Sequence, residues 1–252
     1  MRTYTARGIT LLVRRFRGSE RIATFYTREQ GKVEAVASGV GKPGSKLAGA
    51  LEPFTLSDLL LATGRNMDRL TQAQVVEAWH HIPQEVTAFG YGTWMAELTA
   101  RATEPGAPHP ELFESLERHL RALDQGGKGA MISAAYGFDL LDHLGLSPRL
   151  DCCARCGQAN TGVGRYEAEA GGLVCAACQM SHHHLALRPG HRALLHGLRR
   201  LVPERLQTVK PREAEMRQLL LLLRRHIAYH LGLTLKSDRF LSQLVGAEGS
   251  GE

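Results

Sequence analysis

The first eighty residues alternate short apolar runs with turn residues, a pattern that is typical of β-strands. The runs predict five strands, at Gly8–Val13, Arg21–Thr27, Lys32–Ser38, Phe54–Thr63 and Leu70–Trp79. Five short strands in about eighty residues suit a small closed barrel, and the OB-fold is the best-known barrel of that size that binds single strands. An SH3-like barrel is the structural alternative.

From about residue 84 the apolar positions recur every three to four residues, which is the period of a helix. This pattern predicts helices at Gln84–Thr103, Pro110–Leu123, Lys128–Leu144, Pro189–Leu201 and Pro211–Leu231, with a short one near Ser237–Val245. The fold class is therefore α+β, with an N-terminal five-stranded OB-fold barrel followed by an α-helical domain. We expect the barrel at 1–80, the helical domain at 81–150 and 181–252, and an inserted segment at 151–180.

The inserted segment contains two C-x-x-C pairs, Cys153 with Cys156 and Cys175 with Cys178, which are eighteen residues apart. Two thiolates three positions apart can face one metal from a tight turn, and this spacing fits a tetrahedral site with four cysteine ligands. We therefore expect a zinc finger with one structural Zn²⁺. A redox dithiol or a set of disulfides is the alternative, and a cytosolic setting argues against disulfides.

Several neighbouring side chains leave the ligand set open. Cys152 is an odd thiol whose pairing with Cys156 would give an unusual C-x-x-x-C spacing, so we leave it out. One histidine of His182–His184 could replace a cysteine, although outer or exposed positions are favoured for all three. His226 and His230 lie four residues apart on one predicted helix face, where helix packing or compensation of the helix dipole is the favoured role.

The net charge of +6 conceals two basic blocks. Residues 1–50 hold ten Lys and Arg against three Asp and Glu, and residues 188–225 hold the same numbers, so each block has a net charge of +7. Residues 51–187 hold nine against sixteen, a net charge of −7. This asymmetry favours a polyanionic partner over an acidic small substrate, with ordinary solvated surface charge as the alternative.

The basic residues of the first block fall on predicted strand ends and loops, where an electrostatic groove with occasional aromatic stacking would hold nucleic acid. The candidate DNA contacts are Arg14, Arg15, Arg17, Arg21, Lys32, Lys42 and Lys46. Three aromatic residues are interleaved with them, Phe16, Phe25 and Tyr26. Because side chains alternate along a strand, one of Phe25 and Tyr26 must point inward, and we expect this to be Phe25.

The second basic block combines arginines with leucine stripes. Its candidate partner contacts are Arg192, Arg199, Arg200, Arg224 and Arg225. An apolar groove rimmed by positive charge would suit an acidic tail that ends in a hydrophobic residue. A basic helix face that extends the path of DNA is the alternative.

Signatures of catalysis are weak. Gly39–Pro43 resembles a nucleotide loop, but Val36 stands where the first glycine is needed and Pro43 replaces the Ser or Thr that would bind magnesium. The chain has no G-x-S-x-G elbow. The longest apolar run, Leu219–Leu223, is far shorter than a membrane span, and Met1–Tyr4 lacks the apolar core of a signal peptide. We expect a non-enzymatic, cytoplasmic protein.

The order and spacing of several segments resemble the bacterial RecO family of DNA repair proteins, over nearly the whole chain. These segments are Gly8-Ile9, Arg21–Val33, Leu51–Phe54, Cys153–Gly157, Gly171–Cys178, Tyr229–Gly232 and Lys236–Leu241. All four cysteines match the finger of that family, whereas Cys152 and His182–His184 lie outside its pattern.

The resemblance implies an OB-fold, a helical domain with an inserted zinc finger, and a role in homologous recombination at the nucleoid. Such proteins bind single- and double-stranded DNA, anneal complementary strands, join RecR, contact the tail of single-strand-binding protein and help RecA onto coated strands. The runner-up is a zinc-ribbon transcription or RNA-processing factor with a similar barrel. A metal-dependent nuclease is disfavoured, because four thiolates leave a zinc ion without an open coordination position.

Overall fold

The computed structural model describes residues 2–41, 45–159, 162–180 and 184–248. The chain divides into two compact units. Unit 1 comprises Met1–Gly126 with Leu235–Glu252, and unit 2 comprises Gly127–Thr234. These units group residues by contact. The predicted domain boundaries near residues 80, 150 and 180 stay a prediction.

Unit 1 opens with five strands that close into a barrel in the order β1-β2-β3-β5-β4. The strands are β1 (Thr3–Arg15), β2 (Arg21–Thr27), β3 (Gly31–Ala37), β4 (Thr55–Ala62) and β5 (Asp68–Ala78). Neighbouring strands are antiparallel except β3 and β5, which pair in parallel over three residues. The pairing of β1 with β4 closes the barrel. The predicted OB-type barrel followed by helices is confirmed.

The barrel interior is filled by the inward-facing residue of each strand. Its buried cluster includes Phe25 of β2, Leu59 and Leu61 of β4, and Leu70 of β5. Small side chains such as Ala35 of β3 leave room for these larger ones. Burying each large apolar side chain contributes about 1.5–3 kcal/mol, so apolar alternation along the strands fixes which face turns inward.

Strand β1 is longer than the predicted Gly8–Val13. Its first half, from Thr3 onward, pairs with β4, and its second half pairs with β2. The first half alternates polar outer residues such as Thr5 and Arg7 with inner ones such as Ala6, which is buried. Because one face of this half is exposed to solvent and carries polar residues, the half contains no apolar run that would predict a strand.

Three helices belong to unit 1: α1 (Val86–Ala102), α2 (Pro110–Asp124) and α6 (Lys236–Glu248). The Glu85 carboxylate accepts hydrogen bonds from the first turn of α1, which satisfies two N–H groups that lack partners within the helix. Glu97 of α1 accepts the backbone N–H groups of Lys236 and Ser237 at 2.9 Å each. A carboxylate on α1 thus caps the start of α6 and fixes the C-terminal helix in this unit.

Unit 2 contains helices α3 (Gly129–His143), α4 (Pro189–Arg200) and α5 (Glu213–Leu231). These three helices pack against one another. The positions agree with the predicted helices to within about two residues. Helices α4 and α5 each have an apolar stripe, whereas α3 is buried on nearly every side. Within the described part of the chain, no helix has both the length and the apolar character that crossing a membrane requires.

A small three-stranded sheet completes unit 2, in the order β7-β6-β8. Its strands are β6 (Gly164–Glu167), β7 (Gly172–Val174) and β8 (Leu185–Leu187). The glycine-rich hairpin between the cysteine pairs supplies β6 and β7. Strand β8 has only three residues and lies beyond the predicted finger, so the sequence analysis missed it.

Candidate nucleic-acid interface and metal centre

Four of the predicted DNA-contacting arginines come together where the β1–β2 hairpin turns. Arg15 pairs with Arg21 in the last rung of the hairpin, next to Arg14. Arg14, Arg15 and Arg17 are exposed. Arg21 is half-buried, and its guanidinium donates to the Glu20 carbonyl at 3.1 Å. We call these four arginines the basic rim. Because their like charges repel one another, a polyanion that binds here relieves that repulsion.

A fifth arginine, Arg69 of β5, continues this surface. One rung across four strands consists of Arg14, Ile22, Val36 and Arg69. The next residue of β2, Ala23, belongs to the barrel core, so alternation turns the Arg14 rung outward. Strands lie about 4.8 Å apart, so the path from Arg14 to Arg69 along the curved sheet covers three strand spacings. Both are exposed.

The turn between β4 and β5 presents another exposed arginine, Arg65. The Asp68 carboxylate accepts a hydrogen bond from the Gly64 N–H at 3.1 Å and another from the Tyr4 hydroxyl. Burial and this bond to Asp68 raise the pKa of Tyr4. A Cβ on Gly64 would lie 1.8 Å from the Met67 carbonyl oxygen, so only glycine fits. The turn is therefore held in one conformation with Arg65 at its tip.

A cavity of about 630 Å³ lies beside this turn, within unit 1. Leu12, Thr24 and Glu34 line it from the outer face of β1, β2 and β3, and the α1–α2 connection lines it at Gly106. Arg65 lines the side of the turn. Apolar surface, hydrogen-bonding groups and a guanidinium thus meet in one cavity, and these are the groups that can contact the base, sugar and phosphate of a nucleotide.

Arg65 and Arg69 were missed in the sequence analysis. They lie in the segment 51–187, whose net charge is negative. The net charge of a whole block therefore does not indicate these two arginines as DNA contacts. Pairing of β3 with β5 brings Arg69 beside the first block. A glycine followed by an arginine between two predicted strands was the signal that could have found the turn.

Lys32 and Lys46, two of the three predicted lysines, are not part of the basic rim. Lys32 is half-buried, and its ammonium donates to the Ala100 carbonyl of α1 at 2.7 Å. Lys46 is exposed and lines, with Arg7, a separate groove of about 980 Å³ along β1, β4 and β5. Lys42 lies outside the described residues. Among the described residues, the predicted contacts therefore separate into four clustered arginines and two lysines apart from them, of which Lys32 lines the cavity beside Arg65.

Phe25 and Tyr26 are both buried, on opposite faces of β2. Phe25 fills the barrel, as predicted, but Tyr26 on the outer face is also fully buried. Helix α2 covers that part of the face, and the Phe113 ring centroid lies 6.5 Å from that of Tyr26. The aromatic ring left accessible is Phe16, which is 39% exposed, with the Arg17 guanidinium 5.1 Å from its centroid.

The four cysteines of the two C-x-x-C pairs converge in unit 2. Their sulfur atoms all lie within 4.8 Å of one another. The Sγ atoms of Cys156 and Cys175 are 3.8 Å apart, which equals the edge of about 3.8 Å expected for four thiolates about 2.3 Å from a tetrahedral Zn²⁺. Gly157, with φ of 76°, lets the chain turn back after the first pair. The cluster can hold one metal ion.

The thiols of this cluster interact strongly. Backbone N–H groups of Cys156 and Cys175 donate to Cys153 Sγ and lower the pKa of that thiol to about 6. Hydrogen bonds with the Cys175 and Cys156 side chains raise the pKa of Cys178 to about 12. Four adjacent thiolates repel one another, so a bound divalent cation is what allows all of them to lose their protons near neutral pH.

The remaining candidate ligands take other positions. Cys152 is not one of the clustered sulfurs, and its backbone forms an isolated bridge with Ala159. The His184 ring Nδ1 lies 3.2 Å from the Gln179 amide nitrogen. His182 and His183 lie outside the described residues.

His226 is a buried packing residue that joins α5 to the small sheet. Its Nε2 lies 2.6 Å from the Leu146 carbonyl oxygen, and its Nδ1 lies 2.6 Å from the Tyr166 hydroxyl of β6. Because a carbonyl only accepts, Nε2 carries the proton and Nδ1 accepts from the tyrosine. The His230 ring lies beside it, tilted by 41°, with the ring centroids 4.2 Å apart. Helix packing, one of the two roles expected for this pair, fits this geometry.

The neutral His226 predicts a pH-dependent stability of unit 2. Burial lowers its pKa from 6.5 to about 4, so the unfolded chain binds a proton between these values and the folded chain does not. Its contribution is complete above pH 6.5 and should decrease by up to about 3 kcal/mol as the pH falls to 4. Thermal unfolding of His226→Gln should show a shallower acid decrease than the wild type. Parallel curves for the two proteins would contradict this role.

The arginines predicted to contact a partner are partly engaged within unit 2. Arg199 donates to the Asp142 carboxylate at 2.9 Å and so joins α4 to α3. Arg192 donates to the Gly162 carbonyl at 2.8 Å. Arg200 and Arg225 are exposed. Arg224 is half-buried and has interactions of its own.

The leucine stripes of α4 and α5 pack into the core of unit 2. Leu194, Leu195 and Leu198 of α4 are buried, and so are Leu219 and Leu222 of α5. An open apolar groove would therefore have to use other side chains. Among the exposed large apolar residues of α5 are Leu221 and Tyr229, at 41% and 55% exposure.

Comparison with known protein families accounts for almost the whole chain. The family described as "Recombination protein O N terminal" matches residues 1–79, and "Recombination protein O C terminal" matches residues 83–239. The chain belongs to the RecO family. The first match ends within one residue of the last barrel strand, and the second contains the cysteine cluster. The resemblance seen in the sequence is confirmed.

Curated RecO proteins are similar to this chain over most of their own length. The DNA repair protein RecO of Pelotomaculum thermopropionicum is 33% identical over 100% of this chain and 98% of its own. That of Myxococcus xanthus is 34% identical over 90% and 91%, and that of Bacillus cereus is 29% identical over 94% and 96%. A family of DNA repair proteins is the context for the basic rim and the cysteine cluster.

Proposed function

We propose that this protein is a non-enzymatic recombination mediator that binds single- and double-stranded DNA and anneals complementary strands. The observation that carries the proposal is the outward rung of the barrel, where Arg14 and Arg69 extend the basic rim beside the Arg65 turn. OB-folds bind oligonucleotides on the face of their second and third strands and on the loops beside it. Arg17 and Arg65 lie on the corresponding loops of this barrel, and Arg21 begins β2. Arg14, Arg15 and Arg69 lie beside them, on the ends of β1 and β5.

The binding we propose is electrostatic and indifferent to sequence. Guanidinium groups that contact phosphates release counterions whatever the bases are. Phe16 and the cavity beside Arg65 add stacking and hydrogen bonds that an unpaired nucleotide can use. Two strands whose charge is neutralised on the protein repel each other less, which favours annealing.

We further propose that the cysteine cluster binds one structural Zn²⁺ through Cys153, Cys156, Cys175 and Cys178. Thiolates favour zinc over harder cations, and four of them close the coordination sphere. The metal would supply structural stability and no catalysis. The roles with RecR, RecA and the tail of single-strand-binding protein, and an association with the nucleoid, extend the same proposal and rest on the family.

An annealing assay separates this proposal from its alternatives. Labelled complementary strands should anneal faster with the protein than without it, in the absence of magnesium and ATP. Added magnesium should leave strand lengths unchanged. Magnesium-dependent strand loss would indicate a nuclease, and neither annealing nor strand loss would favour a zinc-ribbon transcription or RNA-processing factor.

The partner surface on α4 and α5 can be tested with a matched pair of substitutions. Arg200→Glu reverses an exposed charge, whereas Arg199→Glu also breaks the ion pair with Asp142. If Arg200 contacts the partner, Arg200→Glu should weaken binding of an acidic tail peptide about tenfold, as measured by fluorescence anisotropy. The melting temperature should stay unchanged, since an exposed charge contributes little to stability. Unchanged peptide affinity would exclude Arg200 as a contact to the partner.

A further inference from the structure

Arg155 and Glu167 form an ion pair inside the finger that neither metal binding nor DNA contact explains. Arg155 lies between the two cysteines of the first pair, and Glu167 is the last residue of β6. Their Nη2 and Oε2 atoms are 3.2 Å apart. The Glu167 side chain is 1% exposed, whereas 32% of the Arg155 side chain remains accessible.

The burial of Glu167 makes this attachment strong. An ionised carboxylate that loses its water needs an opposite charge and hydrogen bonds in exchange. Arginine keeps its charge at every accessible pH and matches the geometry of a carboxylate. The pair therefore ties the turn between Cys153 and Cys156 to strand β6.

The same turn is attached to the hairpin through its backbone. The Ala154 N–H donates to the Leu173 carbonyl of β7 at 2.6 Å. The Cys175 N–H, which follows β7, lies 3.4 Å from Cys153 Sγ. The Arg155 N–H also donates to that sulfur. The backbone N–H of Arg155 thus orients Cys153, a candidate metal ligand, while Glu167 holds the side chain of Arg155.

We propose that Glu167 is a positioning residue for the metal centre: through Arg155 it holds the first cysteine turn in the geometry that accepts the metal. This inference rests on the proposed zinc site. Groups that orient metal ligands without touching the metal change metal affinity by about 10- to 100-fold when they are replaced.

The test compares zinc affinity with stability in the full-length protein. Glu167→Gln keeps the size of the side chain and removes its charge. Competition with a chromophoric chelator should show zinc binding about 10- to 100-fold weaker than in the wild type, and release to the chelator should be faster. Glu169→Gln, an exposed position in the same hairpin, should bind zinc like the wild type.

A second variant keeps the test decisive if Glu167→Gln folds poorly. Arg155→Ala removes the partner from a more accessible position, and Arg155→Lys, which retains the charge, should recover part of the lost affinity. Wild-type zinc affinity in Glu167→Gln or Arg155→Ala would overturn the positioning role alone. An equal loss of stability with and without zinc would do the same, since it would make the pair merely structural. If the folded wild type takes up no zinc, the metal centre itself is wrong.

Discussion

Replacing Arg14, Arg15 and Arg17 with alanine should remove about half of the salt dependence of single-strand binding, because Arg21, Arg65 and Arg69 remain. Each phosphate contact contributes a slope of about −0.7 to the plot of log affinity against log salt concentration. With about six contacts, a fourfold rise in salt lowers affinity about 300-fold, and with about three contacts it lowers affinity only about 20-fold by the same relation. Fluorescence anisotropy with a short labelled strand measures the slopes of the wild type and of the triple variant.

Two controls separate the basic rim from charge in general. Arg118→Ala removes an exposed arginine of α2 and should leave the slope unchanged. The triple variant should weaken binding to all sequences alike, because phosphate contacts carry no sequence information. A loss that depends on sequence at an unchanged slope would show base readout and favour a transcription factor.

Cys175→Ser should abolish metal retention and loosen the finger without unfolding the barrel. Removing one of four thiolates opens the coordination sphere of a site whose binding contributes on the order of 10 kcal/mol in isolated fingers. Unit 1 has its own closed barrel and buried core, so its protection should persist. The zinc content should fall from one ion per chain to below about 0.1 at the same chelator concentration. Hydrogen exchange should become faster around residues 153–178.

Cys152→Ser is the matched control for this prediction. It removes the neighbouring thiol that lies outside the cluster and should retain one zinc per chain. Loss of zinc in Cys152→Ser, with retention in Cys175→Ser, would assign the ligands differently. A metal-free wild type with residues 153–178 fully protected from exchange would contradict the structural role of zinc.

Local pattern was sufficient to predict most of the elements. Strand β3 alternates buried and more exposed residues, although β2 is buried on both faces. Helix α2 carries Leu112, Leu116 and Leu120 on a single buried stripe. The cysteine pairs were predictable for a related reason, since C-x-x-C turns bring two sulfurs together whatever surrounds them. Strand β8, with three residues, carries too little pattern to be found without its partner β6.

The failures in the candidate site come from contacts between distant segments. Alternation places Tyr26 on the outer face of β2, and only the fold shows that α2 covers it from about ninety positions along the chain. Charge alone predicted Lys32 as a DNA contact, and this stays a prediction. Only the fold reveals that its ammonium donates to the Ala100 carbonyl and that Lys32 lines the cavity beside Arg65. Arg69 lies on the same surface as the basic rim because β5 pairs in parallel with β3. No local pattern specifies that pairing.

The salt titration of the wild-type protein tests the central claim most directly. Binding to a short single strand, measured from about 50 to 200 mM salt, should fall linearly on logarithmic axes by about fifty-fold or more. Strands of unrelated sequence should give parallel lines. A flat response, or lines whose spacing follows the sequence, would contradict an electrostatic interface on the basic rim.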